Sequence, residues 1–125
     1  MNLLKMLKSF FTSAPRLNPQ ECADRVRAGD AFLIDVREPD EWRQGVAKGA
    51  TLLPLSDLTG GRAQWGDFLT KAAGKEILVY CASGGRSGMA ARILTAEGIR
   101  AANTGGLSDW VASGWPVVAP GKQRR

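Results

Sequence analysis

The sequence VYCASGGRSG, residues 79–88, places a cysteine between an apolar run and a glycine-rich turn. Residues 76–80, EILVY, are typical of a short buried strand. Residues 86–97 are rich in Ala, Ile and Leu and are followed by Gly98, which predicts a helix that ends there. Cys81 is therefore predicted at the carboxyl end of a strand, one short loop before a helix.

The rest of the chain continues this alternation of strands and helices. Further strands are predicted at residues 32–36, 50–53 and 99–103. Further helices are predicted at residues 18–29, 39–45, 55–73 (with a break at Gly60-Gly61) and 107–113. Such alternation predicts an α/β domain whose parallel sheet is covered by helices on both faces. In such sheets the site lies at the carboxyl ends of the strands, where Cys81 and residues 35–38 are placed.

The composition limits the chemistry that the chain can perform. It has 125 residues, of which 44% are apolar and 23% are charged, and this fits one globular domain. It contains two cysteines, Cys22 and Cys81, and no histidine. A Cys-His or Ser-His-Asp arrangement is therefore excluded within the chain, and two cysteines do not complete a structural zinc site. We expect no metal and no cofactor.

The formal net charge is +5, but the basic residues form no stripe interleaved with aromatics, so no nucleic-acid binding is expected.

The sequence divides into an amphipathic extension (residues 1–14), a domain (residues 15–120) and a basic tail (residues 121–125). Residues 1–12 carry apolar side chains on one helical face, and they either pack on the domain or make a peripheral membrane or protein contact. Two lysines interrupt that apolar run, so neither a signal peptide nor a membrane span is predicted, and a cytoplasmic location is expected.

The loop that follows Cys81 has the composition of an anion-binding turn. The N–H groups of a strand-to-helix loop converge with the free N–H groups at the start of the helix. Gly84 and Gly85 permit the backbone angles that a tight ring needs, and Arg86 adds a positive charge. These groups favour the thiolate form of Cys81. The alternative interpretation is a buried structural cysteine beside a glycine-rich turn.

Four landmarks occur in order along the chain. They are LIDVREPDEW at residues 33–42, GA at residues 49–50, VYCASGGRS at residues 79–87 and TGGLSDWVASGWPV at residues 104–117. In these landmarks the chain resembles the single-domain rhodanese family of sulfurtransferases, from about residue 17 to residue 118. The resemblance implies a rhodanese-like α/β fold with a central parallel sheet of about five strands, flanked by helices on both faces.

The resemblance also implies a sulfur-transfer reaction. Cys81 would take a sulfane sulfur from thiosulfate or a persulfide donor, become a persulfide, and pass the sulfur to a thiol or cyanide acceptor. The backbone N–H groups of the active-site loop would hold the persulfide. That loop consists of Cys81, Ala82, Ser83, Gly84, Gly85, Arg86 and Ser87. Ser83 and Ser87 are candidate hydroxyl donors, and Ser87 is expected to act as a helix cap and not as a catalytic group.

Two other functions are compatible with these residues. One is a sulfur-carrier or interaction module that serves a dedicated protein partner. The other is a cysteine-dependent phosphatase or arsenate reductase. It is disfavoured because Cys81 and Arg86 form a C-x4-R spacing, whereas the phosphatases that share this fold use a loop one residue longer. Cys22 is expected to be packed and inert, and the alternative is a resolving thiol that attacks the persulfide.

Asp35 and Arg37 are supporting candidates near the end of the first predicted strand. Asp35 is expected to hold the strand-to-helix turn through an ion pair or a cap, and the alternative is that it orients groups of the loop. Arg37 either joins that pair or adds positive potential for an anionic donor.

The chain departs from the family pattern at Val46 and Lys48, where many members carry the His and Pro of GHIPGA. Trp65 is expected to line the mouth of the pocket.

Overall fold

The computed structural model describes residues 14–123. Its strands are β1 (Ala31–Asp35), β2 (Val46–Ala47), β3 (Thr51–Leu52), β4 (Glu76–Cys81), β5 (Ala101–Gly106) and β6 (Val117–Val118). Its helices are α1 (Pro19–Arg27), α2 (Pro39–Trp42), α3 (Leu55–Leu58), α4 (Ala63–Lys71), α5 (Gly85–Ala96) and α6 (Leu107–Ala112), and a 3-10 turn spans Pro120–Gln123. The contact segment predicted at residues 1–12 lies outside the described residues.

A parallel sheet in the order β3-β1-β4-β5 forms the centre of the domain. Leu33 of β1 pairs with Leu78 of β4, which pairs in turn with Ala102 of β5. Because the four strands run in one direction, their carboxyl ends meet along one edge of the sheet. This confirms the predicted α/β fold.

The side chains of β4 alternate between two buried clusters, as they do in any strand that is covered on both faces. Ile77, Val79 and Cys81 lie in one cluster with residues of α3, α4 and α5. Leu78 and Tyr80 lie in the other, which includes residues of α1 and α6. Helices therefore cover both faces of the sheet, as predicted.

The sheet has four strands where about five were expected. A single parallel bridge between Arg16 and Asn103 occupies the next position beside β5. In this bridge the N–H of Leu17 donates to Asn103 O, and the N–H of Asn103 donates to Pro15 O, both at 3.0 Å. The pairing extends no further because Pro15 has no N–H to donate and Asn18 already caps α1.

A separate antiparallel ribbon joins β2 to β6. Val46, which stands where the family pattern has histidine, is fully buried in this ribbon. The N–H of Ala47 donates to the hydroxyl of Tyr80 at 2.9 Å, and the N–H of Lys48 donates to Pro116 O at 2.9 Å. These backbone groups are thus satisfied without the histidine. Two-residue strands leave no alternation in a sequence, so the sequence does not predict this ribbon.

Two element boundaries at the site differ from the sequence prediction. Strand β5 continues past residue 103 to Gly106, and α5 begins at Gly85, with Gly84 as its N-cap in a left-handed conformation (φ 104°). Glycine is required there because side chains strain that conformation. Ser87 consequently lies in the first turn of α5 and not at its cap, so the expected capping role is wrong.

Candidate functional site

The end of β4 places Cys81 at the floor of the loop, with only 1% of the residue exposed. Cys81 pairs with Gly106 across a register shift in the β4–β5 ladder. A Cβ atom at Gly106 would overlap the carbonyl of Ala82. The absence of a side chain at residue 106 is therefore what lets the loop backbone lie directly against β5.

Three donors converge on the sulfur of Cys81. The N–H of Gly84 lies 3.0 Å from Sγ, the N–H of Ser87 lies at 3.4 Å, and the hydroxyl of Ser87 lies at 3.3 Å. Ala82, Ser83 and Gly85 are exposed and form the outer part of the loop. The turn and the first turn of α5 thus present N–H groups to one buried atom, which is the arrangement of an anion-binding loop.

The pKa of Cys81 reflects two opposing effects. Burial raises the pKa of the thiol. Hydrogen bonds from the side chain of Ser87, and from the N–H groups of Ser87, Gly84 and Ser83, outweigh the burial and hold the pKa below the ordinary value for a thiol. The loop therefore favours a thiolate, which is the nucleophilic form of cysteine.

Arg86 binds Glu41 of α2. Its two terminal nitrogens donate to the two carboxylate oxygens of Glu41 at 2.6 and 2.8 Å. This bidentate contact is the main reason why the pKa of Glu41 falls from 4.5 to about 2, and it raises the pKa of Arg86. The positive charge expected at the thiolate is thus shared with a carboxylate, and the pair ties the loop to α2. Only the folded structure indicates the role of Glu41.

Asp35 and Arg37 form a buried ion pair at the end of β1. The Nε of Arg37 lies 3.1 Å from both carboxylate oxygens of Asp35, and one terminal nitrogen lies 2.8 Å from Oδ2. The same terminal nitrogen donates to Gly45 O at 2.7 Å, and the N–H of Arg37 donates to Asp35 at 2.9 Å. The guanidinium is therefore used to hold the β1–α2 turn.

The side chain of Asn103 in β5 contacts the hydroxyl of Ser87. The hydroxyl of Ser87 lies 2.7 Å from Asn103 Oδ1, so this oxygen and the sulfur of Cys81 compete for its single hydrogen. Asn103 Oδ1 also accepts the N–H of Gly105 at 3.0 Å. The amide nitrogen of Asn103 donates to Gly84 O at 3.0 Å. One buried side chain thus fixes both the loop and the hydroxyl beside the sulfur. The sequence gives no signal for this role, since Asn103 lies 22 residues after Cys81 at a predicted strand end.

Comparison with known proteins agrees with this geometry. The sequence model of the family described as the rhodanese-like domain matches residues 18–113 of the chain. The chain belongs to the rhodanese-like domain family. It is 33% identical over 93 residues to a sulfurtransferase of Allochromatium vinosum, covering 73% of this chain and 81% of that protein. It is 36% identical over 104 residues to the chloroplastic thiosulfate sulfurtransferase 16 of Arabidopsis thaliana, covering 77% of this chain and 86% of that protein.

A solved structure shows the same likeness for this rhodanese-like domain. The rhodanese-related protein of Thermoplasma volcanium superposes with a TM-score of 0.68 at 28% identity, covering 84% of this chain and 98% of the other. The names of the sequence relatives support a sulfurtransferase-like role for the family to which the chain belongs.

The second thiol of this rhodanese-like domain lies apart from the site. Cys22 is fully buried in the cluster with α1 and α6, whereas Cys81 belongs to the cluster on the opposite face of the sheet. Burial raises the pKa of Cys22 to about 11, so its thiolate is disfavoured. Both thiols are free. This placement favours the inert interpretation of Cys22 over a resolving thiol.

Two further observations bear on the predicted site. Trp65 is fully buried and donates its indole N–H to Pro54 O at 3.1 Å, so it belongs to the core and does not line a pocket mouth. Within residues 14–123, no group of three His, Cys, Asp or Glu side chains is placed to hold a metal ion. None of the helices in that range is long and apolar enough to cross a membrane.

Proposed function

We propose that this rhodanese-like domain transfers a sulfane sulfur through a persulfide on Cys81. The observation that carries the proposal is the buried sulfur with three donors at 3.0–3.4 Å. Such donors stabilise negative charge on sulfur both in the thiolate and in the persulfide anion that replaces it. No cofactor is needed, because each step exchanges one sulfur–sulfur or sulfur–carbon bond for another.

The first step loads the enzyme. The thiolate of Cys81 attacks the outer sulfur of thiosulfate, a new S–S bond forms, and the old S–S bond breaks. The electron pair of the broken bond leaves on sulfite. In the second step a nucleophile such as cyanide or a thiolate attacks the outer sulfur of the persulfide. Thiocyanate or a new persulfide departs, and the thiolate of Cys81 is regenerated. A persulfide donor would load the enzyme in the same way.

The loop suits a sulfur better than a phosphoryl group. Cys81 and Arg86 form a C-x4-R loop, which is one residue shorter than the loop with which phosphatases of this fold surround a phosphate group, so its N–H groups enclose a smaller anion. Arg86, the cation of the C-x4-R loop, is engaged with Glu41 at 2.6 and 2.8 Å. A reduced Cys81 is required for either chemistry, and we therefore expect a reducing compartment such as the cytoplasm.

Intact-protein mass spectrometry after incubation with thiosulfate tests the proposal. The wild type is expected to gain one sulfur atom, and cyanide is expected to remove it with release of thiocyanate. Cys22→Ser is the control for a general thiol reaction and should load like the wild type, whereas Cys81→Ser should not load. Failure of the reduced wild type to load from both thiosulfate and a persulfide donor would refute the proposal. Loading without turnover to cyanide would favour a sulfur carrier with a protein acceptor.

A further inference from the structure

An anionic donor such as thiosulfate must approach a thiolate of the same sign. A nearby cation that is not already neutralised lowers this repulsion. The two arginines that the sequence offered for this purpose are both engaged. Arg37 is buried against Asp35, and Arg86 is bidentate on Glu41. The donor therefore needs a different cation.

Arg16 lies directly against the loop. A Cβ atom placed on Gly84 would be 2.9 Å from one terminal nitrogen of Arg16 and 3.2 Å from the other. A Cβ atom on Gly105 would be 3.3 Å from the second nitrogen. Since the N–H nitrogen of Gly84 is 3.0 Å from the sulfur of Cys81, the guanidinium lies within about 8 Å of that sulfur. The missing side chains of two glycines thus make room for this arginine.

The backbone holds Arg16 in place, and the carboxylate beside it is that of Asp109, whose Oδ2 would lie 2.5 Å from a Cβ atom on Gly105. Residues on either side of Arg16 are hydrogen-bonded to Asn103, which also binds the loop. The side chain of Arg16 makes no ion pair or hydrogen bond with any residue between 14 and 123. The nearby carboxylate of Asp109 instead accepts the N–H of Gly106 at 2.8 Å. Arg16 is exposed, so an incoming anion can reach its guanidinium.

We propose that Arg16 binds the anionic end of the sulfur donor. The planar guanidinium offers paired N–H groups that suit the oxygens of a sulfonate such as that of thiosulfate. With the oxygens held at Arg16, the outer sulfur of the donor can point toward Cys81. This assignment rests on the proposed function and adds to it the residue that would recognise the anionic end of the donor.

Alkylation of Cys81 tests the assignment without relying on sulfur transfer. Iodoacetate is an anion and iodoacetamide is its neutral analogue, and both react with the thiolate. We would measure both rate constants at low ionic strength for the wild type, Arg16→Ala and the control Arg100→Ala. Arg100 is exposed and precedes β5, at the opposite end of the sheet from the loop. Peptide mass spectrometry separates Cys81 from Cys22.

At a pH where Cys81 is fully ionised, Arg16→Ala is expected to slow iodoacetate about fivefold and to leave iodoacetamide unchanged, because a guanidinium about 4 Å from a carboxylate in water contributes about 1 kcal/mol. Loading from thiosulfate, which carries two charges, should slow by about tenfold or more. Added salt should reduce both effects, and Arg100→Ala should show neither.

Two results would overturn the assignment. Unchanged rates for both reagents would mean that Arg16 does not act on anions near the sulfur. Equal slowing of both reagents would mean that Arg16 supports the loop or the thiolate and does not recognise the donor. Selective slowing of iodoacetate in a protein that never loads from thiosulfate would support the anion site and refute only the thiosulfate reaction.

Discussion

Replacing Ser87 with alanine removes the hydroxyl that lies 3.3 Å from the sulfur of Cys81, while the two backbone donors remain. The variant should fold, because Asn103 Oδ1 keeps the N–H of Gly105 at 3.0 Å. Sulfur is a weak acceptor, so we take the lower end for a hydrogen bond to a charged group, about 1.5 kcal/mol. Its loss raises the pKa of Cys81 and corresponds to about a tenfold change in the ratio of thiolate to thiol.

Whether Ser87→Ala slows or speeds the alkylation of Cys81 depends on pH. Well below both pKa values, the thiolate fraction falls about tenfold in the variant. The more basic thiolate is about threefold more nucleophilic, so the observed alkylation rate falls about threefold. Well above both pKa values, every molecule is ionised and the variant reacts about threefold faster than the wild type. The two pH profiles should therefore cross.

The assay is the pH dependence of iodoacetamide alkylation, followed on the peptide that contains Cys81. Ser108→Ala is the matched control, since Ser108 is an exposed serine of α6. Its profile should coincide with that of the wild type. An unchanged midpoint in Ser87→Ala would refute the reasoning. It would mean that the hydroxyl donates to Asn103, at 2.7 Å, even when the sulfur is charged.

Three further predictions concern stability, each measured by urea unfolding. Glu41→Gln should lose about 1 kcal/mol at pH 7, after allowance for the partial exposure of its pair with Arg86. The difference in unfolding free energy between the wild type and the variant should disappear as pH falls from 4.5 toward 2, because the pKa of Glu41 is lowered to about 2 in the folded protein. Equal stability of the two proteins at pH 7 would contradict this prediction. Asp35→Ala should cost about 3–5 kcal/mol, since it leaves Arg37 buried without its partner, and a loss below 1 kcal/mol would argue against that pair. Gly106→Ala should cost about 1–3 kcal/mol because its Cβ would overlap the loop backbone, and an unchanged midpoint would mean that the loop yields freely.

Local signals explain what could be predicted about the fold. A few adjacent residues are enough to predict each of these features: the apolar runs in β1 and β4, the Asn18 cap of α1 and the end of α5 before Gly98. Alternation of such elements favours a parallel sheet, because helical crossovers join parallel strands. The sequence does not predict the ribbon of β2 and β6 or the single bridge at Arg16. Each depends on pairing between distant residues, and neither leaves a periodic pattern.

By itself, the sequence determined the α/β class and the position of Cys81 at the end of a strand before a glycine-rich turn. It could do so because backbone preferences act over a few residues. Only the tertiary structure decided which charges remain free. Arg37 and Arg86 form ion pairs with the carboxylates of residues 35 and 41, whereas Arg16, on the outer side of β5, forms no ion pair within residues 14–123. Long side chains meet whatever the fold brings within a few ångströms of them, so their partners are a property of the packed chain.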